Sequence, residues 1–309
     1  MTCPLFMAGL LLFAANPQDA AAPEITNVRE APDLNSLFER QDGWIGGDGA
    51  VSVLLAPGRT LWLFSDTWVG KVRDGRRFDA TIVNNTVAVQ EASGNKAAVR
   101  FYIRRDPNNK PQAFLTPQNG PGWFWLQAAT FDNQRLYVFL TQVERTNSPG
   151  SFGFRLAAQS LGVVGNPLET PTQWRVEQLK LPFAEFGSKH DVTFGAAVLQ
   201  QHEFLYIYGV DDIPQALGRY KYMILARAPR ASIFEFSTWQ FFADGRWIRD
   251  SKKATRLVGG VANDYSVTYY PQLKCYVLVY TEYGLSSRIL ARTAPAPWGP
   301  WSEAALIYK

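Results

Sequence analysis

Asp48 and Asp66 flank a segment that must fold back on itself. Between them lie two apolar runs, Ala50–Leu55 and Thr60–Phe64, separated by Pro57-Gly58. A Pro-Gly pair between two such runs marks a tight turn. Reversing the chain there brings Asp48, just ahead of the first run, beside Asp66 and Thr67 at the end of the second. Opposed residues in an antiparallel pair have Cβ atoms about 4.5–5.5 Å apart, and diagonal ones about 7–8 Å. A slip of one residue would send the two carboxylates to opposite faces. Two carboxylates held this close repel, so one keeps its proton to higher pH, and like residues then supply both an acid and a base. The plain alternative is a solvated pair at a turn end, with Asp48 closing an Asx turn. The flanking Gly46, Gly47 and Gly49 and the aromatics Trp44, Trp62 and Trp68 favour chemistry.

Other polar residues fall at matching places. Asp191 and Asp264 precede apolar runs of the same kind, and Asp211, Asp212 and Glu282 follow the partner runs; a further such place carries Gln127 and Gln142. Each alone reads as a solvated loop end, but together they would ring one mouth of a funnel. His190, beside Asp191, is a candidate substrate contact or a satisfied surface histidine. Asn84-Asn85-Thr86 fits a glycosylation acceptor, or places Asn85 as a polar funnel residue at the start of a third strand.

These places recur because the elements that hold them recur. Short runs rich in Val, Ile, Tyr, Phe and Trp, bounded by Gly, Pro, Asn or Asp, read as strands throughout. Four hairpins stand out: Gly49–Leu55 with Thr60–Thr67, Leu126–Phe131 with Arg135–Gln142, Val192–Leu199 with Phe204–Asp211, and Tyr265–Tyr270 with Cys275–Glu282. Trp62, Tyr137, Tyr206 and Tyr276 hold equivalent positions, at spacings of 75, 69 and 70 residues, and Trp174, Trp239 and Trp301 recur late in units two to four. A four-stranded unit repeated radially is a β-propeller blade; a β-sandwich with coincidental spacing is the alternative. The fold expected is therefore all-β, a single β-propeller domain over residues 23–309. One helix is predicted, Asp33 to Gln41, capped by Asp33, with Leu34, Leu37 and Phe38 on one face.

Composition narrows the chemistry. The 309 residues are 47% hydrophobic and 19% charged, which suits a packed domain and not a disordered chain. The net charge is +4 and no basic run exceeds two residues, so no nucleic-acid partner is expected. Two Cys and two His argue against a disulfide scaffold, a thiolate cluster or a His-based zinc site, so no metal is expected. No cofactor is expected either: Gly46-Gly47-Asp48-Gly49 has no helix after it to complete a phosphate cradle. Residues 1–22 read as a signal peptide, with an apolar run Pro4–Ala15 and small residues up to Ala22, though Met1-Thr2-Cys3 lacks the usual positive charge. This predicts a secreted or periplasmic protein; no other stretch is apolar enough for a membrane span. Cys275 remains as a single cysteine packed in a strand.

Paired carboxylates beside aromatic faces, with Asn and Gln for hydroxyls, point to a carbohydrate partner, because glycoside hydrolysis needs only two carboxyl groups and a sugar held between them. A binding propeller without catalysis uses the same surfaces. Gly43-Trp44, Gly46-Gly47-Asp48-Gly49-Ala50 and Leu61-Trp62-Leu63-Phe64-Ser65-Asp66-Thr67 resemble the opening of a family of secreted β-propeller proteins. Most of its members are uncharacterised, and some are endo-D-arabinanases acting on mycobacterial-type arabinan. Asn84-Asn85-Thr86, Leu225-Ala226-Arg227-Ala228-Pro229 with Trp239, Tyr265-Ser266-Val267, and Ala294-Pro295 with Gly299-Pro300-Trp301-Ser302 are similar to its later motifs. The resemblance implies five blades, glycosidase chemistry on a furanoside-containing glycan, and a catalytic pair at Asp48 and Asp66. This chain has Asn263-Asp264 where the family's unit-four motif carries a glutamate, and four hairpins are readable where five are implied.

Overall fold

The computed structural model describes residues 21–309, apart from positions 95, 149, 151, 152, 188, 216 and 217. The signal-peptide expectation thus lies almost wholly outside the described residues. The chain enters through β1 (Asp42–Gly47), forms the hairpin β2 (Val51–Ala56) and β3 (Arg59–Phe64), then leaves it for a second hairpin, β4 (Thr67–Arg73) and β5 (Arg76–Val83). It returns with β6 (Thr86–Ser93) and β7 (Lys96–Tyr102), followed by a small pair, β8 (Arg104–Arg105) and β9 (Pro111–Gln112). Unit one is the sheet β2-β3-β6-β7, and β1-β4-β5 form a separate three-stranded sheet at its end.

Unit two is β10 (Trp123–Asp132), β11 (Arg135–Arg145), β12 (Phe154–Val164) and β13 (Val176–Lys180), in that order. Unit three is larger: β14 (Glu185–Phe186), β15 (Asp191–Gln201), β16 (Phe204–Gln215), β17 (Gly218–Pro229), β18 (Gln240–Ala243) and β19 (Arg246–Ile248), with β20 (Val258–Gly259) on β17. Unit four is β21 (Tyr265–Tyr270), β22 (Cys275–Thr281), β23 (Ile289–Ala294) and β24 (Ala305–Tyr308). β2, β10, β15 and β21 pack in succession as innermost strands. This is the radial arrangement expected of a propeller, with four units among the described residues.

Local turn chemistry explains the hairpins. Pro57 fixes its own φ and Gly58 takes φ +74°, the requirement of a type II turn. A Cβ on Gly58 would also lie 2.5 Å from the Ala92 carbonyl oxygen, which excludes any larger residue. Between β10 and β11, Asn133 and Gln134 both take positive φ, as a two-residue I′ turn demands. Asp74-Gly75 does the same between β4 and β5. That hairpin was not among the sequence expectations.

The repeated apolar alternation buries one face of each sheet on its neighbour. Leu61, Leu63, Val87 and Val89 of unit one meet Phe124, Leu126, Val138 and Leu140 of unit two. Phe139 and Leu161 of unit two meet Phe194, Ile207 and Ile224 of unit three. Tyr208 and Met223 of unit three meet Tyr265, Val267 and Leu278 of unit four. Trp174 and Trp239 each follow a short 3-10 turn at the start of an outer strand and drop into the first and second of these interfaces; Trp301 packs on the third. Removing a buried ring of this size costs about 3–5 kcal/mol.

The other face of unit one is covered differently. The expected helix over Asp33–Gln41 is only α1 (Pro32–Asn35) with a 3-10 turn ending at Phe38. Its N-cap is Ala31, without a side-chain bond, and not Asp33. Pro32 starts the turn, and too few apolar residues follow to hold a longer amphipathic helix. Phe38 packs edge-on against Trp62 at 4.9 Å, and Trp44 stacks on Phe101 at 4.3 Å. Upstream, the Ala21 carbonyl accepts a 2.6 Å bond from the Thr293 hydroxyl of unit four. Residues 21–38 therefore reach from unit four to unit one. No helix among the described residues is long and apolar enough to cross a membrane.

Candidate functional site

Unit one mounts Asp48 and Asp66 at one end of its hairpin. The Asp48 N–H donates to the Asp66 carbonyl (3.1 Å), and the Ser65 N–H donates to the Asp48 carbonyl (2.9 Å). Gly49 (φ +82°) permits the approach, since a Cβ there would sit 3.2 Å from the Ser65 nitrogen. The residues on either side of Asp66 are buried and bonded. Ser65 Oγ donates to the Leu126 carbonyl and accepts from the Leu126 N–H, which ties it to the innermost strand of unit two. Thr67 Oγ1 lies 3.0 Å from Thr86 Oγ1 and donates to the Ser65 carbonyl. Such support holds a carboxylate in one place, because its neighbours have no freedom to move.

The side chain of Asp66 accepts from two donors on Oδ1: the indole N–H of Trp125 at 3.0 Å and Asn84 Nδ2 at 3.3 Å. Asp264 comes from the opposite end of the chain and lies near enough to Asp48 to feel its charge. Both Asp48 and Asp264 are open to solvent by surface area, yet protein crowds both, and each stands just ahead of an innermost strand, β2 or β21, at one mouth of the propeller. That crowding is the larger reason that each carboxyl is raised from 3.8 to about 6. Like charge adds to it, Asp66 acting on Asp48 and Asp48 on Asp264. The main-chain N–H groups of Asp66 and Asp48 oppose the rise at Asp48.

The remaining acids are compensated. Asp211 is held between His190 (Nδ1 at 3.2 Å) and Arg256 (Nε at 2.8 Å), and His190 Nε2 also faces Glu185 at 3.4 Å. Asp191 accepts from Arg219 at 2.8 Å and from the Gly187 N–H; Asp212 pairs with Arg219 and Lys221, and Glu282 with Arg288 at 3.6 Å. Among the described residues, Asp48, Asp66 and Asp264 have no such cation. No group of three His, Cys, Asp or Glu side chains there could hold a metal ion.

Several expected contacts lie elsewhere. Trp44 is 6% exposed and belongs to the core with Phe64 and Phe101, because the strand alternation turns it inward. Trp62 bonds Gln90 under Phe38. Trp68, next to Asp66, is half-buried with the Arg77 guanidinium 4.6 Å over its ring. Asn85 is fully buried; its amide spends both donors on the Leu115 and Phe124 carbonyls and accepts from the Leu115 N–H, so it offers no donor and no exposed atom to a ligand. Gln127 shares a buried network with Thr141, Gln159 and the Phe194 main chain, which links units two and three. Gln142 is held by the Pro121 carbonyl. Trp125 was missed, although Trp123-Phe124-Trp125 stands just ahead of the second hairpin's first run, where unit one carries Asp48.

No curated protein matches the chain. A crystal structure from Bacteroides ovatus, described provisionally as a hydrolase, aligns at a TM-score of 0.69 with 17% identity, covering 90% of this chain and 73% of that one, which shows a shared fold. An α-L-arabinofuranosidase of Podospora anserina aligns at 0.45 (9% identity; 92% and 70% covered), and a GH43_1 enzyme of Xanthomonas citri at 0.46 (14%; 89% and 80%). One family matches residues 32–309, nearly all that is described, and the chain accordingly belongs to the family described as domain of unknown function DUF5005.

Proposed function

We propose that this protein is an exported glycoside hydrolase that cleaves a polysaccharide, arabinan or another furanoside-containing glycan, with Asp48 and Asp66. One observation carries the reading: the mouth holds carboxylates with no cation among the described residues, while the other acids around it are ion-paired. Uncompensated like charge in a crowded site is costly to keep and is typical of acid–base chemistry. The resemblance of the Gly46–Thr67 motifs to the endo-D-arabinanase family supports the substrate class. The five-bladed plan and export through residues 1–22 belong to the same proposal.

The environments divide the labour. Asp48, raised to about 6, keeps its proton long enough to deliver it to the leaving glycosidic oxygen. Asp66, oriented by Trp125 and Asn84, either attacks the anomeric carbon or takes a proton from the attacking water. In the first case water then cleaves the glycosyl ester, with Asp48 returning as base; in the second, one inversion ends the reaction. Asp264, itself raised to about 6 by burial and by the Asp48 charge, stands beside the acid as a hydroxyl contact.

Asp48→Asn and Asp66→Asn keep the shape and remove the titration. Each should lower turnover on an arabinan-type substrate by roughly 10²-fold or more, and wild-type activity should fall as pH rises through about 6. Full activity in both variants would overturn the assignment. A wild type that binds glycans but cleaves none across a broad panel would favour a binding propeller.

A further inference from the structure

A second set of side chains at the same mouth has no part in that chemistry. Tyr220 and Tyr222 stand on the end of β17, opposite the strand positions of Ile213 and Asp211. Tyr283 follows β22 in unit four. The Tyr220 ring lies 4.9 Å from Tyr222 and 5.8 Å from Tyr283, tilted by 54° and 55°. Tyr283 is 58% exposed. Its backbone takes φ +53°, a conformation that a bulky residue rarely adopts, and its N–H is tied to the Gly260 carbonyl at 2.8 Å. Strain is therefore accepted to present an aromatic face to solvent.

The floor beneath the rings is bare main chain. A Cβ on Gly259 would lie 2.8 Å from the Tyr220 hydroxyl, and one on Gly260 would lie 3.1 Å from Tyr283 Cε1. Any side chain at these two positions would lift the rings. Arg256, bonded to Asp211, stacks 4.7 Å over Tyr222 and closes one side with fixed donors. Gly260 and Asp264 are four residues apart in sequence. At roughly 3.3–3.6 Å per residue, the Cα atoms of Gly260 under the platform and of Asp264 are no more than about 14 Å apart.

We propose that Tyr220 and Tyr283 form a platform that binds a neutral sugar ring of the glycan chain, away from the bond being cleaved. The apolar C–H face of a sugar matches the exposed ring faces, and its hydroxyls match the tyrosine hydroxyls and Arg256 at the edge. Arg256 is already neutralised by Asp211, and Arg292, the cation that acts on the Tyr220 hydroxyl, gives its donors to the Tyr280 hydroxyl and the Ser302 carbonyl, which suits a neutral ring. The proposal rests on the reading of the mouth as a glycan site and adds a second contact to it.

The test uses neutral arabinan-derived oligosaccharides graded in length, with a small aryl arabinofuranoside as the short reference. Calorimetry in an Asp66→Asn background gives affinity without turnover, and wild-type-background kinetics give KM. Tyr283→Ala should weaken the longer members about tenfold and leave the aryl glycoside unchanged. Tyr283→Phe should retain most of the affinity, because stacking needs the ring and not the hydroxyl. Tyr220→Ala should behave like Tyr283→Ala. If affinity does not rise with length, or the variants lose equally on the aryl glycoside, the platform is wrong while hydrolysis by wild type still upholds the function. If wild type neither binds nor cleaves any member, both readings fall.

Discussion

Replacing Asp48 by Asn should stabilise the protein while it destroys the proposed activity. In the folded chain the Asp48 carboxyl holds its proton up to about 6, against 3.8 for the ordinary group. Between those values the folded state binds more protons than the unfolded one. Stability attributable to this group therefore falls as pH rises from about 4 to 6, and the penalty is fully present above that range. A shift of about two units corresponds to roughly 3 kcal/mol if the group were sealed from water. Asp48 is open to solvent, and screening reduces the figure to about 1 kcal/mol. Asn removes the charge at nearly constant shape, so Asp48→Asn should melt about 2 °C above wild type at pH 7.5. The two should melt together near pH 3.5, where both side chains are neutral. Paired calorimetric scans at the two pH values read both quantities. A variant less stable than wild type at pH 7.5, or equally stabilised at both pH values, would refute the argument that the folded state penalises the Asp48 charge.

Trp125→Phe keeps the edge contact with Phe154 (4.9 Å) but deletes the indole donor to Asp66. A bond to a charged group contributes about 1.5–3 kcal/mol, so the melting temperature should fall by about 3–6 °C, and turnover should fall about tenfold as Asp66 loses its orientation; unaltered turnover would show that Asn84 alone orients Asp66. Gly195 takes φ +90°, and a Cβ there would lie 2.1 Å from Phe139 Cγ across the interface of units two and three. Gly195→Ala should therefore cost about 3 kcal/mol from overpacking and backbone strain together, read as a lower denaturation midpoint. A midpoint within error of wild type would mean that this interface can yield.

The strands and the hairpin that carries Asp48 and Asp66 were legible in the sequence because their causes are local. Pro57-Gly58 specifies the turn, alternation specifies which side of each strand is buried, and the recurrence of Trp174, Trp239 and Trp301 marks the unit. Asp74-Gly75 was equally local evidence for the β4–β5 hairpin and was passed over. The helix expectation failed because three apolar residues at helical spacing do not outweigh a segment whose role is to lay Phe38 on Trp62. Tertiary structure alone decided the rest. The approach of Asp264 to Asp48 depends on units two and three lying between them in sequence and curving round in space, which no window of residues encodes. The same curvature sets Trp125 on Asp66 and joins Tyr283 to Tyr220, while Asp211 and Asp191 meet their arginines only once the strands of unit three pair. Sequence type made each of these side chains available for chemistry. Which carboxylates meet a cation and which are left to repel one another is a property of distance, and distance between units is decided only when the sheets pack.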